Sequence, residues 1–153
     1  MSRSSYTDDY GEDYPGQLEL YRANVERSMR GKAGQARLRE LRDALLALPV
    51  KELHDGIFAA GTPEKPAVCA LGAWALKRAG GDPAKAAEMA GPSPEEDTET
   101  AAALAAHGWP RLVVMDTIFM NDDVGRHETP AERYARVLAW VESQIIEPAQ
   151  RRG

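Results

Sequence analysis

Residues 31–49, GKAGQARLRELRDALLALP, contain the clearest helical pattern in the sequence. Leucines recur there at the three- and four-residue spacing that places side chains on one face of an α-helix, at Leu38, Leu41, Leu45 and Leu48. Arginines and carboxylates fill the positions between them, and Pro49 cannot continue a helix. The stretch therefore predicts an amphipathic helix whose leucine face packs into a core.

Helical spacing extends to both sides of this stretch. Before it, residues 17–30 place apolar side chains on one face, and Gly31 separates the two helices. After it, residues 110–122 and 130–146 form two further helical patterns, each introduced by a proline. In the last of these we expect Arg133 and Arg136 to lie on a solvated face. The carboxylate of Asp116 lies in an apolar run, where burial is costly unless it is paired, so it should either face solvent at the polar gap or pair with an arginine or a helix N-cap elsewhere.

Three segments carry helix-capping residues. Asp82 precedes Pro83 and can accept a hydrogen bond from a first-turn amide. Ser93 and Thr129 are each followed by proline and then by a glutamate three residues on, which is the pattern of a capping box. We therefore expect helices to begin just after each of these three residues.

Together these patterns predict a single all-α domain, an irregular bundle of about six helices over residues 16–147. Residues 56–61, GIFAAG, would add a short two-stranded ribbon if another segment pairs with them. The acidic residues 1–15 are predicted to be a disordered tail, and residues 148–153 a frayed one. The core is predicted to contain the large aromatic residues together with the leucine face: Trp74, Trp109, Trp140, Tyr134 and Phe119.

Composition excludes several classes of protein. A single cysteine rules out an internal disulfide and, with three scattered histidines, gives no zinc-ligand spacing. The acidic run at residues 121–128 does not match a calcium loop, so we predict no metal and no cofactor. No segment has the roughly 20 apolar residues that span a bilayer. The sequence thus predicts a cytoplasmic protein without a membrane partner, and leaves its oligomeric state undetermined.

A basic stretch spans the first two helices. Its cations gather around the turn at Gly31, next to a helix N-terminus, where positive charge favours phosphate or an acidic partner. The candidate binding residues are Arg27, Arg30, Lys32, Arg37 and Arg39. The alternative is an ordinary solvated face on a chain of net charge −5. A nucleic-acid-binding regulator and a protein-binding module both remain open at this point.

The sequence VCALGA places Cys69 where a helix begins, and the amides there can stabilise a thiolate. A Cys69-dependent enzyme would need partners, and the candidates are Asn121, Asp122 and His127. The alternative is a small buried residue in a packed core. Because no known signature of a cysteine nucleophile surrounds Cys69, we predict that the protein is not an enzyme.

Four stretches of the sequence resemble a family of small uncharacterised proteins of phages and prophages. They are residues 27–49, the VCALGA segment, FMNDDVG at residues 119–125 and ETPAERYARVLAWVESQI at residues 128–145. More loosely, they are similar to uncharacterised actinobacterial proteins. The positions that carry the resemblance are Arg30, Gly31, Lys32, Gly34, Gln35, Cys69, Ala70, Leu71, Gly72, Asn121, Asp122, Thr129, Trp140, Ser143 and Gln144. The resemblance implies a phage or prophage accessory protein that binds a host or phage macromolecule. It supplies no catalytic residue.

Overall fold

The computed structural model describes residues 16–92, 96–125 and 127–147. The predicted tails, residues 1–15 and 148–153, and the capping residue Ser93 lie outside these described residues. Within them the chain forms seven helices and one short ribbon, so the predicted all-α bundle is confirmed, with one helix more than expected. None of these helices combines the length and apolar character that crossing a membrane requires.

The elements follow one another along the chain, and the two strands precede the third helix. They are α1 (Gln17–Arg30), α2 (Lys32–Ala47), β1 (Ala59–Gly61), β2 (Pro66–Val68), α3 (Ala70–Arg78), α4 (Pro83–Glu88), α5 (Asp97–Ala105), α6 (Arg111–Asp122) and α7 (Pro130–Gln144). Strands β1 and β2 pair antiparallel, with Ala60 opposite Ala67. This is the ribbon that residues 56–61 were expected to form, shifted toward the C-terminus of that segment.

Helix α2 packs against α1, α3 and α7, and its leucine face is buried as predicted. Helix α6 packs against α1, α3, α5 and α7 on another side of the core. Between them lies α3, whose residues from Ala70 to Leu76 are all buried. Trp74, Trp109 and Tyr134 are in the core as predicted. Trp140 packs against it and is only half-buried, and Phe119 is half-buried and outside the core, contrary to prediction.

Two of the predicted helix caps are present. The side chain of Asp82 accepts a hydrogen bond from the amide of Ala84 at 3.0 Å and begins α4. At α7, Thr129 and Glu132 exchange the two hydrogen bonds of a capping box, at 3.1 and 2.9 Å. Helix α5 begins at Asp97 with Glu96 at the N-cap, so its start lies later than the Ser93 pattern predicts.

Two polar side chains show how the bundle accommodates charge. Asp116 is buried, and its carboxylate accepts a hydrogen bond from Arg22 of α1 at 3.0 Å, so of the three alternatives it is the arginine pair that the structure shows. Arg133 was expected on a solvated face of α7, but it is only 5% exposed. It donates to the carbonyls of Asn121 and Gly125 at 3.0 and 3.2 Å. The last carbonyls of α6 have no helical partner, and this buried guanidinium satisfies that of Asn121.

Candidate functional site

The Gly31 junction between α1 and α2 carries the exposed part of the basic stretch. Arg27, Arg30 and Lys32 are all exposed. Arg27 donates a hydrogen bond to Asn24 on its own helix at 2.7 Å. Among the described residues, no hydrogen bond or ion pair involves the side chain of Arg30 or Lys32. Three cations are therefore available to a ligand within six residues of chain.

The other two predicted binding cations have internal partners. Arg37 donates to the carbonyl of His107 and to the carboxylate of Glu40, both at 2.9 Å. Arg39 donates to the carbonyl of Ile146, just beyond the end of α7. Both side chains therefore hold α2 against other parts of the bundle. Their charge still contributes to the local field, but their guanidinium groups are committed to these contacts.

A cleft of about 720 Å³ lies beside the exposed cations. It is lined by residues from the last turn and a half of α1 and from the end of α7: Glu26, Met29, Arg30, Ser143, Gln144, Ile145 and Ile146. We call Arg27, Arg30, Lys32 and this cleft the α1–α2 corner. The cleft contains one carboxylate and one cation, so the net positive charge of the corner comes from the residues beside it.

Gln35 connects the two sides of this cleft from behind it. Its side-chain amide donates to the carbonyls of Met29 and Gln144, at 2.7 and 2.9 Å, and its oxygen accepts from the amide of Ile146 at 2.8 Å. The residue is buried; its bond to Met29 is buried as well, and the other two bonds are partly buried. Helix periodicity alone did not single out Gln35. Its place in the RGKAGQ motif was the signal that could have found it.

Cys69 stands at the N-cap of α3, directly after β2. Its sulfur accepts a hydrogen bond from the amide of Gly72 at 3.3 Å. Although part of the residue is accessible, burial of the thiol raises its pKa from 9.0 to about 12, and the nearby Asp122 carboxylate adds to the rise. The backbone amides of the helix start act in the opposite direction and are outweighed. The expected thiolate at this helix start is therefore disfavoured.

Asn121 and Asp122 lie at the same helix start. Asn121 accepts a hydrogen bond from the amide of Ala70 at 3.0 Å and donates to the carbonyl of His54 and to Asp122, at 3.1 and 2.7 Å. Burial raises the pKa of Asp122, and the carboxylates of Asp123 and Asp55 raise it further. The structure thus brings together Cys69, Asn121 and Asp122. We call these three residues the α3 cap cluster.

His127 does not join this cluster. It lies in the turn before α7, is exposed and has a positive φ of 64°. No hydrogen bond or ion pair within the described ranges links it to Cys69. The histidine nearest in the hydrogen-bond network is His54, which reaches the cluster only through its backbone. Nor do the described residues contain a group of three or more potential metal ligands.

Comparisons with known proteins add no relative to this description. No protein-family model matches the chain, and neither a curated protein nor a solved structure is significantly similar to it.

Proposed function

We propose that this protein is a non-enzymatic accessory protein of phage or prophage origin that binds a host or phage protein through the α1–α2 corner. The origin is what the resemblance of its motifs implies. The binding surface is argued from the structure alone.

The observation that carries the proposal is the contrast among the five predicted cations. Arg37 and Arg39 are used internally, whereas Arg30 and Lys32 are exposed beside a cleft and have no side-chain partner among residues 16–92, 96–125 and 127–147. Met29, Ile145 and Ile146 contribute apolar atoms to a cleft whose accessible lining is mostly polar, and Ile146 is only partly buried. Cations beside a cleft of mixed lining favour a protein segment that offers carboxylates together with some apolar surface.

The test is affinity capture from a lysate of the bacterium that carries the gene, using the full chain as bait. The binding variant is Arg27→Glu/Arg30→Glu/Lys32→Glu. The matched control is Lys65→Glu/Lys77→Glu/Lys85→Glu, which changes the net charge equally at exposed lysines away from the corner. We expect a stoichiometric partner that both the wild type and the control retain and the binding variant loses.

Circular dichroism and thermal melts check that both triple variants are folded. If the two variants lose the partner equally, the interaction depends on overall charge and the corner is not its site. If the wild type captures no partner that depends on these cations, the proposed function is wrong.

A nucleic acid is the second candidate ligand, because the same three exposed cations would contact phosphates. Three phosphate contacts predict that log K falls with log salt with a slope of about −2.7. Fluorescence anisotropy with labelled duplex DNA and RNA at about 50 mM salt measures this slope. Binding that is absent there, or that persists in the triple-glutamate variant, excludes this candidate.

A Cys69-dependent reaction is the least supported function. A thiol with a pKa of about 12 is ionised in about one molecule in 10⁵ at pH 7. The hydrogen bonds of Asn121 go to backbone groups and to Asp122, so it does not orient a base for the thiol. A nucleophile needs a base within hydrogen-bond reach, and the cluster offers a carboxylate that repels the thiolate.

A further inference from the structure

We propose that the acidic N-terminal segment of the same chain, residues 6–10, docks on the α1–α2 corner and competes there with the partner. The competition with the partner rests on the proposed function. The docking itself does not, because it is measured without any partner.

Charge is the first argument. Residues 1–15 contain four carboxylates and one arginine, so they hold three of the five net negative charges of the chain. The carboxylates are Asp8, Asp9, Glu12 and Asp13. The remaining chain is close to neutral. Its exposed cations include Arg30 and Lys32 at the corner, which have no side-chain partner in the part of the chain that the structure describes. The most concentrated negative charge and this positive corner thus belong to one molecule.

Chain length is the second argument. Helix α1 rises by about 20 Å between Gln17 and Arg30, at about 1.5 Å per residue. Asp8 and Asp9 are eight and seven residues before Gly16, so an extended chain could carry them about 23 to 28 Å from it. An extended chain could carry Glu12 and Asp13 only about 10 to 14 Å, which is enough for Arg27 but falls short of Arg30 and Lys32. Only the first carboxylate pair can reach Arg30 and Lys32.

The composition of the segment fits the cleft. Tyr6 and Tyr10 flank the two aspartates, and a tyrosine ring combines apolar surface with a polar hydroxyl. The cleft of about 720 Å³ has a mostly polar lining that includes Arg30, Ser143 and Gln144, with apolar atoms from Ile145 and Ile146. A ring in the cleft and carboxylates on the cations are therefore compatible, and the short tether keeps the local concentration of the segment high.

The test measures paramagnetic broadening in the full chain. A spin label at Ser5→Cys, on a Cys69→Ser background, should broaden the amide signals of Arg30, Lys32 and Ile146 at about 20 mM salt. We expect the broadening to fall by about half or more at about 500 mM salt, because exposed ion pairs are screened there. The variant Asp8→Asn/Asp9→Asn should abolish it.

The matched control is Glu12→Gln/Asp13→Asn, which removes the same charge from the same N-terminal stretch but at positions that fall short of Arg30 and Lys32. It should retain the broadening. If no broadening appears at the corner, or if both double variants reduce it equally, the proposed docking is wrong. Broadening between a labelled chain and a separate isotope-labelled chain would assign the segment to a second copy, which also overturns the proposal.

Competition is read separately from docking. With a partner captured as above, Asp8→Asn/Asp9→Asn should raise its affinity about threefold, as expected for loss of two exposed ion pairs. The inner double variant should leave the affinity unchanged. If no partner exists, the broadening can still be observed. If the segment does not dock, the partner can still be captured, but the two double variants bind it with equal affinity. The two failures are therefore distinguishable.

Discussion

The α3 cap cluster and the α1–α2 corner both lie at a helix start. In the first the polar side chains form hydrogen bonds to the helix, whereas in the second they are exposed. At the start of α3, the sulfur of Cys69 accepts a hydrogen bond from the amide of Gly72, and the side-chain oxygen of Asn121 accepts one from the amide of Ala70. At α2, Gly31 is the N-cap and provides no side-chain hydrogen bond, and the cations nearby are exposed. Burial distinguishes the two.

Asn121→Ala should have the largest effect on this comparison. It leaves the amide of Ala70 and the carbonyl of His54 without their partner in a buried site. We expect the free energy of unfolding to fall by about 3 kcal/mol, measured by urea denaturation. Asn24→Ala, which removes an exposed hydrogen bond beside the corner, should change it by less than about 0.5 kcal/mol. Similar losses would mean that burial is not what separates the two regions.

Glycines give a second pair. A methyl group on Gly72 would overlap the carbonyl of Phe58, where the ribbon lies against α3. Gly72→Ala should therefore lower stability by about 2 kcal/mol, whether measured by thermal or by chemical unfolding. At Gly31 the added carbon meets its nearest atoms at 3.6 Å, an ordinary contact. Gly31→Ala should cost at most about 1 kcal/mol, the value of a less favourable N-cap. A reversed order would show that the approach of β1 to α3 is not rigid.

Within the predicted basic set, Arg37 and Arg30 can be compared directly. Arg37→Met removes hydrogen bonds to the carbonyl of His107 and to Glu40, and should lower stability by about 1 to 2 kcal/mol. Arg30→Met should leave stability within about 0.5 kcal/mol and weaken partner capture instead. Equal effects on stability would remove the distinction between structural and exposed cations.

The raised pKa of Cys69 predicts a dependence of stability on pH. The folded thiol keeps its proton until about pH 12, whereas the unfolded thiol loses it near its ordinary value of 9.0. Unfolding therefore becomes easier as the pH rises from 9 to 12, and at pH 10 the loss is about 1 kcal/mol. Cys69→Ser keeps a capping oxygen but does not ionise in this range. The difference between its pH–stability curve and that of the wild type isolates the thiol, and parallel curves would contradict its burial.

The smallest effect is expected at the corner itself. Replacing Arg27, Arg30 and Lys32 by glutamine should change stability by less than about 0.5 kcal/mol, because exposed charges contribute little. The same variant should lose the partner. A stability loss as large as that of Asn121→Ala would show that the cations stabilise the fold, and would contradict the proposed function.

Most of the fold was predictable because the sequence patterns of a helix lie within a few residues of one another. The leucine face of α2 and the capping box at Thr129 each depend on residues within a few positions of one another. The start of α5 was placed too early, since Glu96 rather than the Ser93 pattern marks its beginning. Local capping chemistry shows where a helix can start, and packing determines where it does.

The roles of individual polar residues were harder to predict. Arg133 fits a solvated face by periodicity, but α7 turns back on the end of α6 and encloses it. Arg37 and Arg39 share the composition of their exposed neighbours, and only their positions relative to His107 and Ile146 commit them internally. The carbonyl partners of Arg37 and Arg39 lie 70 and 107 residues away in the chain, beyond the range of any local pattern.

The sequence by itself determined that this protein is a helical bundle, where its apolar faces lie and which residues are available for capping and for charge. Hydrophobic spacing and capping patterns are local, so they can be recognised without coordinates. Only the tertiary structure decided that Cys69 and Asn121 cap α3, and that Arg30 and Lys32 remain exposed beside a cleft. Burial and long-range hydrogen bonds set those roles, because both depend on which distant segments pack together.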